Sequence, residues 1–228
     1  MINNIFAALK FIWTTIIYII YPPLCPVCKE IVDEKNQICE NCYKKIFRLD
    51  TEEFLPEVLS GVFNITKYRE GTRDLLRRLK FNNDLKVVPV LKKILAHVAE
   101  NSELNNFLSQ VDIATYVPLH EKRFKERGFN QVELIFEDFL AEKNLPVENL
   151  LTRIKSTPHL FDLNPTERKK VVKDAFSVVE GINLQGKKIL VVDDIYTTGA
   201  TTSACAEVLK NAGAEKIFVL AFASTVKK

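Results

Sequence analysis

Hydrophobic and polar positions follow different rhythms in successive parts of this chain. From Ile5 to Tyr21 the run is almost wholly apolar, Lys10 being its one charge, and Pro22-Pro23 stop it. It reads as a helix at the lower limit for spanning a bilayer, which takes about 20 apolar residues. Packing against its own domain or a partner is the first reading, and membrane association the second. After a polar stretch, Val62 to Tyr68 reads as a strand, and Thr72 to Lys80 and Leu85 to Ala99 read as helices. Asn101 to Asn106 is polar and reads as a connector.

From Val111 onward strands and helices alternate. Asp112 to Pro118 reads as a buried strand. Asn130 to Lys143 carries Val132, Ile135, Phe136, Phe139 and Leu140 at helical spacing. Leu151 to Asp174 is polar and basic, is broken by Pro158 and Pro165, and reads as a long loop. Lys187 to Val192 is a second buried strand, Thr201 to Ala212 a helix stopped by Gly213, and Lys216 to Phe222 a third strand. This order predicts an α/β fold with a mostly parallel sheet and right-handed crossovers. Three segments are expected: 1–47, apolar helix and cysteine module; 48–110, an α+β connecting segment packed on the core; and 111–228, the α/β domain.

Composition changes this picture little. Of 228 residues, 47% are hydrophobic and 27% charged, enough for one sizeable core and a small appendage. A net charge of +3 does not imply nucleic acid by itself, so any basic surface must be local. No small-residue cleavage site follows the apolar N-terminus, which argues against a secreted, disulfide-stapled protein. A cytoplasmic protein is expected, with peripheral membrane contact through the N-terminal helix as a further expectation.

The cysteines say more. Cys25, Cys28, Cys39 and Cys42 form C-x2-C-x10-C-x2-C. Each close pair lets two thiolates face one ion, and two pairs supply a tetrahedral four-sulfur site suited to structural Zn²⁺. Disulfides or free thiols are the competing readings. Cys205 stands alone within a helix and reads as a small core residue.

The strongest chemistry lies in KKILVVDDIYTTGATTSACAEVL. An apolar strand runs into Asp193 and Asp194, a Thr- and Gly-rich turn follows, and then a helix begins. The carboxyl edge of a parallel sheet is a ligand position. Gly199 permits close backbone approach, and the N–H groups of the turn and of the helix start favour an anion. Hydroxyls of Thr197, Thr198, Thr201 and Thr202 add donors, and the two carboxylates accept from vicinal hydroxyls. Acids beside a phosphate cradle fit a ribose 5-phosphate. Neither G-x-G-x-x-G nor G-x-x-x-x-G-K-[ST] is present, which disfavours dinucleotide and nucleoside-triphosphatase folds.

VVDDIYTTGAT resembles the phosphoribosyl pyrophosphate signature of type I phosphoribosyltransferases. Together with the four-cysteine cluster and VPLHEKRFKERGFNQVELI at 117–135, it resembles the ComF family of competence-associated proteins. The resemblance implies a phosphoribosyltransferase-like sheet with an N-terminal zinc module, and a link to DNA uptake. It implies that Asp193 and Asp194 hold the ribose hydroxyls and that Thr197, Thr198, Gly199, Ala200 and Thr201 wrap the 5-phosphate. Mg²⁺ on the pyrophosphate is implied as well.

Two basic stretches complete this reading. Lys122, Arg123, Lys125 and Arg127 fall within HEKRFKERGFNQ, and the resemblance puts this loop on the pyrophosphate side. Arg153, Lys155, Thr157, Arg168 and Lys169 belong to a segment that resembles the loop closing over substrate in such enzymes. Arg123, Arg127 and Arg168 join the acids as candidate catalytic groups, and Lys155 is a candidate phosphate ligand. Leu160 stands where that family usually has Gln, and Val171 where it usually has Asn, which predicts slow transfer. His120 and His159 read as loop residues. The alternative is a non-catalytic module that binds phosphoribosyl pyrophosphate or single-stranded DNA and serves DNA-uptake proteins. Arg73, Arg77, Arg78 and Lys80 either extend that surface or form a solvated face.

Overall fold

The computed structural model describes residues 2–35, 37–52, 55–157 and 164–225, which divide into two compact units, Met1–Lys45 and Ile46–Lys228.

The first unit opens with α1 (Ile2–Ile20). The helix exposes large apolar side chains, Phe6 and Trp13 among them. No helix among the described residues is long and apolar enough to cross a membrane. Near its end the Tyr18 hydroxyl donates to the Asp33 carbonyl. The chain then folds into a knuckle. Cys25 N–H donates to the Glu30 carbonyl at 2.8 Å, Lys29 N–H to the Cys25 carbonyl at 2.9 Å, and Lys29 takes a left-handed φ of 67°. The second cysteine pair enters α2 (Glu40–Ile46), with Glu40 in its first turn and Lys44 and Lys45 in its last, as the helix dipole favours.

The second unit continues with β1 (Phe47–Thr51), β2 (Gly61–Lys67), α3 (Glu70–Asn82), α4 (Val88–Val98), α5 (Ser102–Leu108) and β3 (Ile113–Tyr116). Next come α6 (Glu121–Arg127), α7 (Gln131–Glu142), β4 (Leu151–Arg153), α8 (Pro165–Val172) and β5 (Phe176–Val178). It closes with β6 (Lys188–Tyr196), α9 (Ala200–Asn211) and β7 (Lys216–Ser224). Five strands form one sheet in the order β1-β2-β7-β6-β3, all parallel except β1 on β2. Central β6 and β7 are buried on both faces, so they are continuous apolar runs rather than alternating ones. Ile189, Val191, Ile217 and Val219 pack with Cys205, Ala206 and Leu209 of α9 on one face. Phe218 and Phe222 meet Phe107 and Phe136 on the other. Cys205 is a buried core residue.

Four features differ from the sequence reading. Residues 102–108 are helical rather than a connector: Asn101 caps the helix by accepting Leu104 N–H at 2.8 Å, and Leu104, Phe107 and Leu108 bury one face. HEKRFKER is the helix α6 rather than a loop, closed by Gly128 at φ 83°. The ends of the expected 151–174 loop are ordered, β4 pairing antiparallel with β5 and α8 starting at an Asn164–Glu167 capping box. Finally, β6 does not stop at Val192. It runs through both acids, because Asp193 pairs with Ala221 and Ile195 with Ala223 on β7.

Candidate functional site

The carboxyl edges of β3 and β6 open into one cleft. Its lining includes Asp193, Asp194, Thr197 and Thr201 from β6 and the turn after it, Arg123 and Arg127 from α6, and Lys80, Gln131 and Arg153. A strand-turn-helix supplies the floor. The turn bends at Gly199, whose φ of 71° is left-handed and where a Cβ would meet the Tyr196 hydroxyl at 2.6 Å. α9 then starts with its free N–H groups at this edge, an anion-favouring end.

Asp193 and Asp194 are both buried, at 8% and 4% exposure. Burial pushes Asp193 up to about 7, and the neighbouring Asp194 adds to that, while Lys80 and Arg153 pull against it. Lys80 Nζ lies 3.1 Å from Asp194 Oδ2, and the Gln131 amide donates to the same oxygen at 3.0 Å. Across the cleft, Arg123 donates to the Thr157 carbonyl at 2.6 Å, and Arg153 donates to the Thr157 hydroxyl. Burial lowers the pKa of Arg123, Arg127 and Arg153, yet a guanidinium stays charged. Two buried polar atoms here have no partner, Arg153 Nε and Thr198 Oγ1. Unpaired buried donors are costly.

The structure thus brings Asp193, Asp194, Thr197, Thr201, Arg123 and Arg127 to one cleft, with Thr198, Gly199 and Ala200 in the adjoining turn and first helical residue. The Thr202 hydroxyl is used locally, donating to the Gly199 carbonyl at 3.1 Å. Lys155 is exposed, 3.3 Å from the Lys173 carbonyl and 3.6 Å from Asp174, and does not line the cleft. The side chains of Arg168 and Lys169 lie outside the described residues, as do Pro158, His159 and Leu160, whereas Val171 is half-buried in α8. His120 caps α6, its Nδ1 accepting Lys122 N–H at 3.2 Å. The basic residues of α3 part company: Arg78 binds Asp84 at 2.7 Å, Arg77 lies over Phe81, and Lys80 enters the cleft. Lys80, named from the sequence only as part of a possible basic surface, and Gln131, within the quoted 117–135 block but given no role there, are both cleft residues. The signal for Lys80 was its place four residues after buried Leu76, on the same helix face.

In the first unit the four sulfurs of Cys25, Cys28, Cys39 and Cys42 all lie within 4.8 Å of one another. A tetrahedral zinc with Zn–S of about 2.3 Å needs sulfurs about 3.8 Å apart, so the cluster fits a structural ion. Cys39 N–H points to Cys25 Sγ at 3.4 Å. Burial alone would raise Cys25, but backbone N–H groups of Cys28, Cys39 and Val27 outweigh it and bring the thiol down to about 7. Burial instead raises Cys39 and Cys42, so a bound cation is what would hold all four as thiolates.

Comparison with known proteins finds matches over both regions. A model described as a double zinc ribbon domain matches residues 16–53, and one described as a phosphoribosyl transferase domain matches residues 150–227. Competence protein F of Haemophilus influenzae is 27% identical over 199 residues, covering 86% of this chain and 82% of that protein. Competence protein ComFC of Streptococcus pneumoniae is 29% identical over 201 residues, covering 85% and 84%. Over most of its length the chain is similar to competence proteins of the ComF family. Another relative is the DNA utilization protein YhgH of Escherichia coli, 25% identical over 204 residues, covering 89% of this chain and 85% of that one. Among solved structures, the glutamine phosphoribosylpyrophosphate amidotransferase of B. subtilis aligns with a TM-score of 0.42 and 19% identity, over 64% of this chain and 30% of that chain. This chain therefore joins a phosphoribosyltransferase-like sheet flanked by helices to a four-cysteine zinc-ribbon region.

Proposed function

We propose that this chain binds phosphoribosyl pyrophosphate in the cleft between β6, α6 and α3, in service of DNA uptake. One arrangement carries the reading: a buried acid pair beside a glycine turn and a helix start, faced by Arg123, Arg127 and Arg153. The acids accept ribose hydroxyls, the turn and α9 take the 5-phosphate, and the guanidinium groups face the pyrophosphate. Mg²⁺ accompanying the pyrophosphate would neutralise part of its charge. The names of the relatives, two competence proteins and a DNA utilization protein, support the cellular role.

The chemistry this cleft supports is displacement of pyrophosphate from the anomeric carbon by a nitrogen nucleophile. The carbon–oxygen bond to pyrophosphate breaks with its electron pair leaving on the pyrophosphate, a carbon–nitrogen bond forms, and the nitrogen's proton passes to water or to the departing pyrophosphate. Positioning and charge stabilisation are what the side chains contribute. Leu160 and Val171 give the segment after β4 fewer polar groups, so we propose good binding with slow transfer.

Isothermal calorimetry tests the reading. Phosphoribosyl pyrophosphate with Mg²⁺ should bind at about micromolar Kd, near −8 kcal/mol. Asp193→Ala and Asp194→Ala should each weaken binding by about 1 to 3 kcal/mol. Binding of single-stranded DNA with no response to phosphoribosyl pyrophosphate would instead favour a nucleic-acid module on the same scaffold.

A further inference from the structure

Asp193 and Asp194 adjoin in sequence but are held differently. Asp194 is gripped from two sides. Lys80 of α3 sets Nζ 3.1 Å from Oδ2 and 3.4 Å from Oδ1, and Gln131 donates to Oδ2 at 3.0 Å. Gln131 is only 4% exposed, and its own carbonyl oxygen accepts from Arg127. A chain of contacts, Arg127–Gln131–Asp194–Lys80, therefore crosses the cleft from α6 to α3. Asp193 accepts the backbone N–H of Asp194 at 2.8 Å.

Two carboxylates packed side by side in a dry site repel each other, and a nearby cation offsets that repulsion. The Lys80–Asp194 pair is itself largely desolvated, with side-chain exposures of 17% and 6%, so removing one partner leaves a buried charge uncompensated. Resting on the reading of the cleft as a phosphoribosyl site, we propose that Lys80 is a positioning residue: with Gln131 it fixes Asp194, and it leaves Asp193 as the acid that takes a ribose hydroxyl. Lys80 acts on the pair through its contact with Asp194 and through its charge beside Asp193.

The groups around this pair define the test. Asp193 is faced by Asp194 on its own strand, Lys80 from α3, Arg153 from β4 and Cys205 from α9. Asp194 is faced by Lys80, Gln131, Arg127 and Tyr68. Of these, Lys80 is the largest influence pulling Asp193 back toward its ordinary range.

Carboxyl NMR of the full-length, ligand-free protein is recorded against pH for wild type, Lys80→Met and Lys80→Arg, beside calorimetry with phosphoribosyl pyrophosphate. In Lys80→Met the Asp193 carboxyl should titrate at higher pH than in wild type. Affinity at neutral pH should fall about tenfold, the lower end for a lost charged contact. The acid side of the binding profile should move to higher pH. Lys80→Arg should recover part of each effect. If Asp193 titrates unchanged in a folded Lys80→Met protein, the proposal is overturned, whatever the wild type binds. If the titration moves but wild type ignores phosphoribosyl pyrophosphate, the positioning stands and the ligand reading fails. Gln131→Leu, which cuts the other tether, covers the case of an unstable Lys80→Met. Its Asp194 carboxyl signal should shift and its affinity fall, and a wild-type-like result on both counts overturns the proposal.

Discussion

Arg123 of α6 donates to the main-chain carbonyl of Thr157 at 2.6 Å, tying the exit of β4 to the basic helix. Arg153 grips the hydroxyl of the same residue. One threonine therefore sits between two cleft guanidinium groups, and an anion entering the cleft meets donors that are already oriented.

Arg123→Ala should weaken phosphoribosyl pyrophosphate binding by about 1.5 to 3 kcal/mol, as expected for a hydrogen bond to a charged group. Ribose 5-phosphate, which lacks the pyrophosphate, should lose far less. Arg123→Lys keeps the charge but not the planar fork, so it should recover only part of the loss. Calorimetry with both ligands separates the cases. Equal losses for the two would mean that Arg123 supports the fold rather than the pyrophosphate.

Gly199→Ala is expected to damage both fold and ligand binding. Its φ of 71° disfavours any side chain, and the new Cβ would meet the Tyr196 hydroxyl at 2.6 Å and Cζ at 3.1 Å. Tyr196 is 4% exposed, so its ring has little room to retreat. Backbone strain of about 1 kcal/mol and overpacking of about 1 to 3 kcal/mol should lower the melting temperature measurably. A melt identical to wild type would show that the turn relaxes freely.

The sequence made the centre of this site readable and its walls much less so. The run into Asp193, the turn at Gly199 and the helix after it announce themselves because local chemistry dictates them. The continuation of β6 through the acids does not, since pairing with β7 is a tertiary fact. α6 buries none of its residues, so no hydrophobic period marks it, and only its capping residues, His120 and Gly128, could have revealed it. β1 was hidden for a different reason. Its Arg48 pairs with Glu52, both 6% exposed, and Asn64 and Ser224 complete a buried polar network that no local pattern foretells. Lys80 stands among cations on a helix, and its place four residues after Leu76 is the one local sign that it turns inward.

The zinc site should hold one ion per chain. Cys39→Ser removes one of four sulfurs that lie within 4.8 Å of one another. The remaining three should bind zinc much more weakly, and because metal binding there is also folding energy, the first unit should lose structure. Elemental analysis of protein purified without chelator, followed by proteolysis of 1–45, reads both effects. Full zinc content in Cys39→Ser would show that the ion sits elsewhere.

The pH dependence of stability turns on Asp193. Burial moves it from 3.8 to about 7 in the folded protein. Between those values the folded state keeps a proton that the unfolded chain has released, so stability falls as pH rises through this window. Above it the ionised acid costs the fold up to about 4 kcal/mol. Asp193→Asn removes that cost. Its urea midpoint should exceed wild type at about pH 8 and approach it near pH 4, below which both forms are neutral. The same variant should bind phosphoribosyl pyrophosphate poorly, because a neutral amide is a weaker acceptor for ribose hydroxyls than a carboxylate. Stability would then be gained where binding is lost, the trade expected when a strained acid is kept for function. A variant less stable than wild type at every pH would mean that the ionised Asp193 is held favourably, and the account of its burial would have to be reversed.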